Sequence, residues 1–307
     1  MKKKVSAIIT THNRLDLLKN AINSVFNQTY KNIELIVVDD GSTDGTLEFC
    51  KSDKRIIYIY ISPKNHKNGN YARNLGIKNS KGYYVAFLDD DDEWMKDKIE
   101  KQVNFLEQNK ELSLVTCLRK KLVNNQYIYN DKIHFNQIDQ FQTKVFYNLV
   151  GTTSTYLAKK EDVINIGMFD ENLNVWQDVE FITNMAIHYK IGILNEHLVL
   201  YRRNFYDKNR VSNGNIDRWI ESVKYINDKY KYEIDNLSDD EKIKRELFIL
   251  NDKALRYQKF GNNKMKRKCL KQIYLKNRTF NKFIKYLLNI SSDDILLLNI
   301  KIKRHSL

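Results

Sequence analysis

Four times within the first ninety residues a short β-branched apolar run gives way to a helical pattern. The runs are Val5–Thr10 (VSAIIT), Glu34–Val38 (ELIVV), Ile56–Ile61 (IIYIYI) and Tyr83–Leu88 (YYVAFL). Between the first two, Leu17, Leu18, Ala21, Ile22, Val25 and Phe26 recur at helical spacing in Arg14–Asn27, with Asn13 and Asp16 as its N-terminal caps. Gly45–Cys50 predicts a short helix, and Asn70–Asn79 a helix with Ala72, Leu75 and Gly76 on one face. This alternation predicts an α/β fold with a mostly parallel sheet and crossover helices.

After about residue 110 the pattern changes. Leu112–Cys117, Leu122–Tyr129, Thr152–Ala158 and His197–Arg202 read as strands, the second with an Asn-Asn turn candidate, and Gln177–His188 reads as a helix. From about residue 215 the periodicity is helical throughout, carried by Leu270, Ile273 and Tyr274 and then by Phe280, Phe283, Ile284, Leu287 and Leu288. Gly261-Asn262-Asn263 marks a turn between two of these helices. The chain therefore divides into an α/β region, 1–214, and a helical region, 215–307. Of the net charge of +14, most belongs to the second region, where residues 216–307 hold 22 Lys and Arg against 12 Asp and Glu. Such a balance asks for an anionic partner: nucleic acid, a membrane surface or an acidic substrate. No helix-turn-helix, zinc-finger or aromatic RNA-binding motif is present, so nucleic acid is not expected.

An aromatic share of 12% is too rich for a disordered chain. No run approaches the roughly 20 apolar residues of a membrane span. The segment Val5–Ile9 after the lysine-rich start is too short for a signal peptide. Cys50, Cys117 and Cys269 are too few and too scattered for a disulfide framework or a zinc site.

Three clusters carry chemistry. In VVDDGSTDG, residues 37–45, an apolar strand ends in Asp39 and Asp40 and a Gly/Ser/Thr turn. A carboxylate there can accept hydrogen bonds from a base or a ribose, or it can simply cap the next helix. Asp89, Asp90, Asp91 and Asp92 directly follow the fourth strand. Their mutual repulsion asks for a cation, and hard oxygen ligands suit Mg²⁺ or Mn²⁺. In Gly69–Gly76, Arg73 lies one turn into a helix, where it could meet a phosphate or an acidic partner.

Taken in order, TTHNR (10–14), VVDDGSTDGT, GNYARNLGIKNSKG and YYVAFLDDDDEW resemble the family 2 glycosyltransferases of the GT-A fold. The likeness runs over roughly residues 4–205. It implies an inverting enzyme using a nucleotide-sugar donor, UDP-linked, and a divalent metal. It implies nucleotide-sugar contacts at Thr10, His12, Arg14, Asp40, Arg73, Asp89 and Asp90, with Asp40 reading the uracil imide and Asp91 on the metal. His12 stands where the family often has Tyr. A later run, Gly167–Glu171, precedes Trp176-Gln177-Asp178, and Asp178 matches the general base, with Glu180 as a rival. Gln177 replaces the usual Glu. Gly151–Ser154 corresponds to the acceptor-lining stretch. Arg202 or Arg203 is a candidate phosphate contact or part of a solvated basic loop. Trp176 would stack on a sugar or belong to the core.

The resemblance further implies a saccharide acceptor, often lipid-linked, and a cytoplasmic enzyme peripheral to the inner face of the membrane. The basic tail, including Lys264, Lys266, Arg267, Lys268 and Lys271, would serve as a contact with anionic headgroups or pack into a helical hairpin or a second chain. The competing readings are a catalytically inactive relative that kept the fold and a basic nucleic-acid- or membrane-binding protein.

Overall fold

A computed structural model describes residues 2–65, 67–123, 126–128, 151–202 and 216–277. The first compact unit is built on strands β1 (Val5–Thr11), β2 (Ile33–Asp39), β3 (Ile56–Tyr60) and β4 (Tyr84–Asp89). These alternate with helices α1 (Leu15–Phe26), α2 (Thr46–Ser52) and α3 (Gly69–Asn79). Then follow β5 (Asp92–Trp94), α4 (Lys98–Gln108), β6 (Leu112–Val123), β7 (Gln126–Ile128), β8 (Leu157–Lys159), α5 (Lys160–Asn165), α6 (Gln177–His188) and β9 (Lys190–Arg202). The nine strands form one sheet in the order β3-β2-β1-β4-β8-β6-β9-β5, with β7 paired to β6. β1 to β4 are parallel, and β8 is antiparallel to β4 and β6.

The apolar runs become the central strands because they are covered on both faces. Val5, Ala7, Ile8 and Ile9 of β1 are all buried, and so are Leu35 to Val38 of β2. The close approach of α3 to β1 depends on Gly76, where a Cβ would stand 2.4 Å from Cγ2 of Ile8.

Several elements differ from the sequence reading. The N-terminus of α1 has no cap from Asn13 or Asp16. Asp44, on the loop after β2, accepts the Leu15 N–H instead (2.8 Å). Residues 153–155 form a 3-10 turn, and only Leu157–Lys159 is strand. β6 runs unbroken through residues expected to separate two strands, and β9 begins seven residues earlier than His197. α4 was not anticipated, because its apolar stripe is only Ile99, Val103 and Leu106, completed by buried Lys98 and Gln102.

The second unit contains α7 (Ile216–Lys229), α8 (Lys231–Asp235), α9 (Asp239–Lys259) and α10 (Asn263–Asn277). Ser238 and Glu241 form a capping box at the start of α9. Gly261, at φ 69°, turns α9 into α10, and Leu247, Ala254, Tyr257, Cys269, Leu270 and Ile273 pack between the two helices. Trp219 of α7 donates its indole N–H to Asp252 of α9 (2.7 Å). The expected periodicity from Phe280 to Leu288 lies outside the described residues.

Lys98 is fully buried. Its Nζ donates to Gln102 Oε1 (2.7 Å) and stands 4.3 Å from the centre of a Trp94 ring. Burial pushes its ammonium down to about 8. The native state then binds fewer protons than the unfolded chain above that value, so Lys98 makes stability rise with pH between about 8 and the ordinary lysine value near 10.4. Urea unfolding should show this as a stability difference between the native chain and Lys98→Met that moves in favour of the native chain from pH 7.5 to 10. A pH-independent difference would refute it.

Candidate active site

Register brings the three strand ends level. Thr11 of β1 lies opposite Asp39 of β2, and Thr10 lies opposite Asp89 of β4. In parallel sheets the space beyond such carboxyl ends is where ligands bind.

Two loops are stitched together at this edge. Asn13 takes a left-handed backbone (φ 51°), donates its N–H to Ser42 Oγ (2.8 Å) and accepts the Thr43 N–H at Oδ1 (2.8 Å). Asp44 accepts from Leu15 N–H and from the Thr46 hydroxyl (2.6 Å). Burial opposes the charge of Asp44, but these bonds prevail and hold its carboxyl below the usual range. His12 Nδ1 lies 2.7 Å from the Asp40 carbonyl, which only accepts, so the ring carries hydrogen there and receives the Asn13 amide at Nε2 (3.1 Å). The Asp40 N–H donates to the Thr11 carbonyl (2.9 Å), which fixes its backbone beside β1.

The carboxylates divide by partner. Asp39 is buried and accepts from Ser42 N–H (2.9 Å) and the Tyr58 hydroxyl (2.6 Å). Asp90 is buried and accepts from Thr11 Oγ1 (2.8 Å) and Arg14 Nη1 (3.0 Å). Burial pushes Asp90 up to about 6, although Arg14 opposes this. Asp92 is buried and accepts from the Ser154 hydroxyl (2.6 Å). Asp91 is partly exposed, with Arg14 Nη1 at 3.7 Å. Asp89, about a third exposed, accepts from Arg73 Nη2 (2.8 Å) and Thr153 Oγ1 (3.1 Å).

Arg73 ties this edge to α6. Its Nη1 donates to Gln177 Oε1 (3.0 Å), while Gln177 Nε2 donates to the Leu173 carbonyl (3.0 Å). An amide satisfies both contacts, whereas a glutamate would set an acceptor against that carbonyl. Asp178 follows in the first turn of α6. It sits deep among protein atoms yet keeps a partly exposed surface. Desolvation first, and the charge of Asp89 second, raise its pKa, while the Val179 N–H, Arg73 and Arg119 pull the other way. Tyr156 is fully buried, and desolvation first, then the charges of Asp178 and Asp89, push its phenol well above the usual range.

The glycosyl transferase family 2 model matches residues 6–167, which carry every strand end and acidic loop just described. The chain belongs to glycosyl transferase family 2. This family 2 chain is 35% identical over 240 residues to an uncharacterized glycosyltransferase of Rickettsia felis, an alignment covering 74% of the chain and 38% of the relative. The chain thus spans well under half of that relative's length. It is 42% identical over 106 residues to WfaP of Escherichia coli, a UDP-Glc:alpha-D-GlcNAc-diphosphoundecaprenol beta-1,3-glucosyltransferase, covering 34% of the chain and 42% of WfaP. In fold it is similar to S. aureus TarS in complex with UDP-GlcNAc (TM-score 0.56, 16% identity, 94% of this chain and 92% of that one). It is also similar to the mannosyltransferase PcManGT of Pyrobaculum calidifontis in complex with GDP-Man and Mn²⁺ (TM-score 0.54, 16% identity, 100% and 81%). These last two establish the GT-A fold.

Within this family 2 site, Thr10, His12, Arg14, Asp40, Arg73, Asp89, Asp90, Asp91 and Asp178 lie around one edge of the sheet. Trp176 is buried, with left-handed backbone (φ 62°), so its ring belongs to the core. Arg202 pairs through its guanidinium with Glu93, and Arg203 lies outside the described residues. Glu180 is fully buried. Sequence reasoning gave Thr11 and Arg119 no individual role, took Asn13 for a helix cap and placed Thr153 only in the acceptor-lining stretch, whereas Asn13 stitches two loops and Thr153 holds Asp89, because their partners are remote in sequence.

Asn13 separates two effects. Asn13→Ala loses the loop bonds and strains a left-handed backbone, for a loss of about 2 kcal/mol in urea unfolding, whereas Asn13→Gly loses only the bonds and should cost about half as much. Equal losses would exclude a backbone contribution.

Proposed function

We propose that this chain transfers a sugar from a UDP-linked donor to a hydroxyl of a saccharide acceptor, with inversion, as a step in building a cell-envelope polysaccharide. The observation that carries the proposal is the pairing of Asp178, a partly exposed carboxylate with a raised pKa, with an acidic strand-end cluster one arginine away. The WfaP likeness supports a lipid diphosphate on the acceptor, and the TarS complex supports a uridine donor.

Residues 1–214 would form the catalytic region. The uridine would lie along Thr10, His12 and Asp40, and the donor's diphosphate would lie toward Asp91 and Arg14. Among the described residues no three metal-binding side chains converge. Asp91 with its neighbour Asp89 fits an ion of the Mg²⁺ or Mn²⁺ kind that completes its coordination on donor phosphates, because such ions are commonly held by one or two carboxylates plus phosphate. When bound, that ion would neutralise charge on the leaving diphosphate.

The chain's own residues do the rest. Asp178 takes the acceptor's hydroxyl proton as that oxygen bonds to the anomeric carbon. The bond from that carbon to the diphosphate breaks, and its electron pair leaves with the nucleotide. Arg73 holds Asp89 and Gln177 so that α6 presents Asp178 at a fixed angle. On α10 the exposed Lys264, Arg267, Lys268 and Lys271 support a peripheral contact of residues 215–307 with anionic headgroups at the cytoplasmic face of the membrane. No helix among the described residues is long and apolar enough to cross a membrane.

Nucleotide release from UDP-sugars with Mn²⁺, with and without acceptor, tests the reading. Asp91→Ala should lose the response to Mn²⁺, and Asp178→Asn should lower transfer by roughly 10²–10⁴-fold. The base acts ionised, so the rate falls as pH drops through the pKa of Asp178, and its burial sets that limb above the usual carboxylate range. Gln177→Glu adds a negative charge beside it and should move the limb further toward neutral pH. An unmoved limb would take Asp178 out of the base role.

A further inference from the structure

Three polar residues share a buried face of α3. Asn70, Arg73 and Asn74 follow one another at i, i+3 and i+4, and each is nine-tenths or more buried. A helix ordinarily puts apolar side chains on such a face, because a buried amide is costly unless its hydrogen bonds are met. Here both amides are met largely by one stretch of backbone, the irregular segment 166–176 between α5 and α6.

Asn74 accepts the Phe169 N–H at Oδ1 (3.0 Å) and donates from Nδ2 to the Phe169 carbonyl (2.9 Å) and to Glu171 Oε1 (3.0 Å). Exchanging both bonds with one residue is how a strand pairs with its neighbour, so the amide stands in for the strand that this segment lacks. Asn70 donates to the Asp170 carbonyl (2.7 Å) and accepts from Arg73 Nη1 (3.4 Å). Asn68, just before the helix, donates to the carbonyls of Glu171 (2.7 Å) and Leu173 (3.2 Å).

Phe169 passes this grip on to α6. Its ring stacks on Phe181 of α6, with centroids 4.1 Å apart and planes 11° apart, and meets Phe87 of β4 edge-on at 5.0 Å. Phe181 lies three residues beyond Asp178, about one turn along the same helix. A second route runs through Leu173, whose carbonyl is held by Asn68 and by Gln177, the residue before the base. Beside Asn74, Arg73 holds Asp89. Adjacent residues of one helix therefore grip the acidic strand end and the segment that leads to the base. Gly69 leaves room for this, since a Cβ there would stand 3.1 Å from Arg73 Nη1 and 3.4 Å from Gln177 Oε1.

We infer that Asn74 is a positioning residue of the transferase, which through Phe169 sets where Asp178 stands relative to the strand end that carries Asp89, with Asn70 in support. This rests on the transferase reading. A misplacement on the order of 1 Å can cost a reaction about 10²-fold. The uridine edge of β1 and β2 is built without this segment, so Asn74 would act on turnover and leave nucleotide affinity unaffected.

Hydrogen exchange and kinetics on the full chain test this together. Asn74→Ala should speed exchange of the amides in residues 166–181 and leave those of β1 and β2 protected. Turnover is read as UDP release from the UDP-sugar panel with Mn²⁺ and decyl-diphospho-N-acetylglucosamine as acceptor. Asn74→Ala should lower kcat by roughly ten- to a hundredfold, with the affinity for UDP unchanged in calorimetry. Asn74→Ser gives the same comparison should Asn74→Ala not fold. Asn74→Asp sets a carboxylate against the Phe169 carbonyl and Glu171, and should do no better than alanine. Adding Glu171→Gln to Asn74→Asp supplies an amide that can donate to that carboxylate, and should recover part of the turnover. Ser80→Ala removes a bond at the other end of α3, from its hydroxyl to the Ile77 carbonyl (2.7 Å), and should lower the melting temperature without lowering kcat. Native exchange in 166–181, native kcat, or a loss of kcat matched by an equal loss of UDP affinity would each overturn the inference alone. A native chain that binds no UDP, or turns over no UDP-sugar, would overturn the transferase reading and the inference with it.

Discussion

The parallel register of β1 between β2 and β4 is the constraint on which the site depends. It sets Thr11 opposite Asp39 and Thr10 opposite Asp89, although the paired residues are separated by up to 79 positions in the chain. A slip of one residue would exchange the faces of a strand and mismatch the side chains packed on both sides of the sheet. Because β1 and β2 are buried almost throughout, that exchange is strongly disfavoured, and the strand ends inherit the precision of the core.

An acidic edge of this density must be stabilised before it can work. Asp39, Asp90 and Asp92 are buried and hydrogen-bonded to Tyr58 and Ser42, to Thr11 and Arg14, and to Ser154. These three carboxylates hold loops in place. Asp91 and Asp178, which are partly exposed, have the surface that chemistry requires, and Asp89 links the two groups through Arg73 and Thr153. Burial raises the pKa of Asp178, and the charge of Asp89 adds to that rise.

Much of the fold was legible in the residues. The four apolar runs became β1 to β4, the helical patterns became α1, α2 and α3, and Gly261 became the turn between α9 and α10. Local pattern failed where the stabilising partner was distant. α1 is capped by Asp44 from another loop, and Thr152–Thr155 is a turn because its hydroxyls serve Asp89, Asp92 and Thr116. α4 escaped notice because a buried lysine and glutamine complete its inner face. The candidate site was legible as a set of acids and one arginine, carried by motif order.

By itself, the sequence determined the strand-helix alternation, the acidic strand ends and the basic helical region, because periodicity and composition are local properties. Only the tertiary structure decided which acids are sealed into the scaffold and which keep exposed surface. It alone turned Trp176 into the core, engaged Arg202 with Glu93, and set Arg119 over the Tyr201 ring. The physical reason is that burial and hydrogen bonding are set by neighbours across the fold, so identical carboxylates four in a row acquire different chemistry.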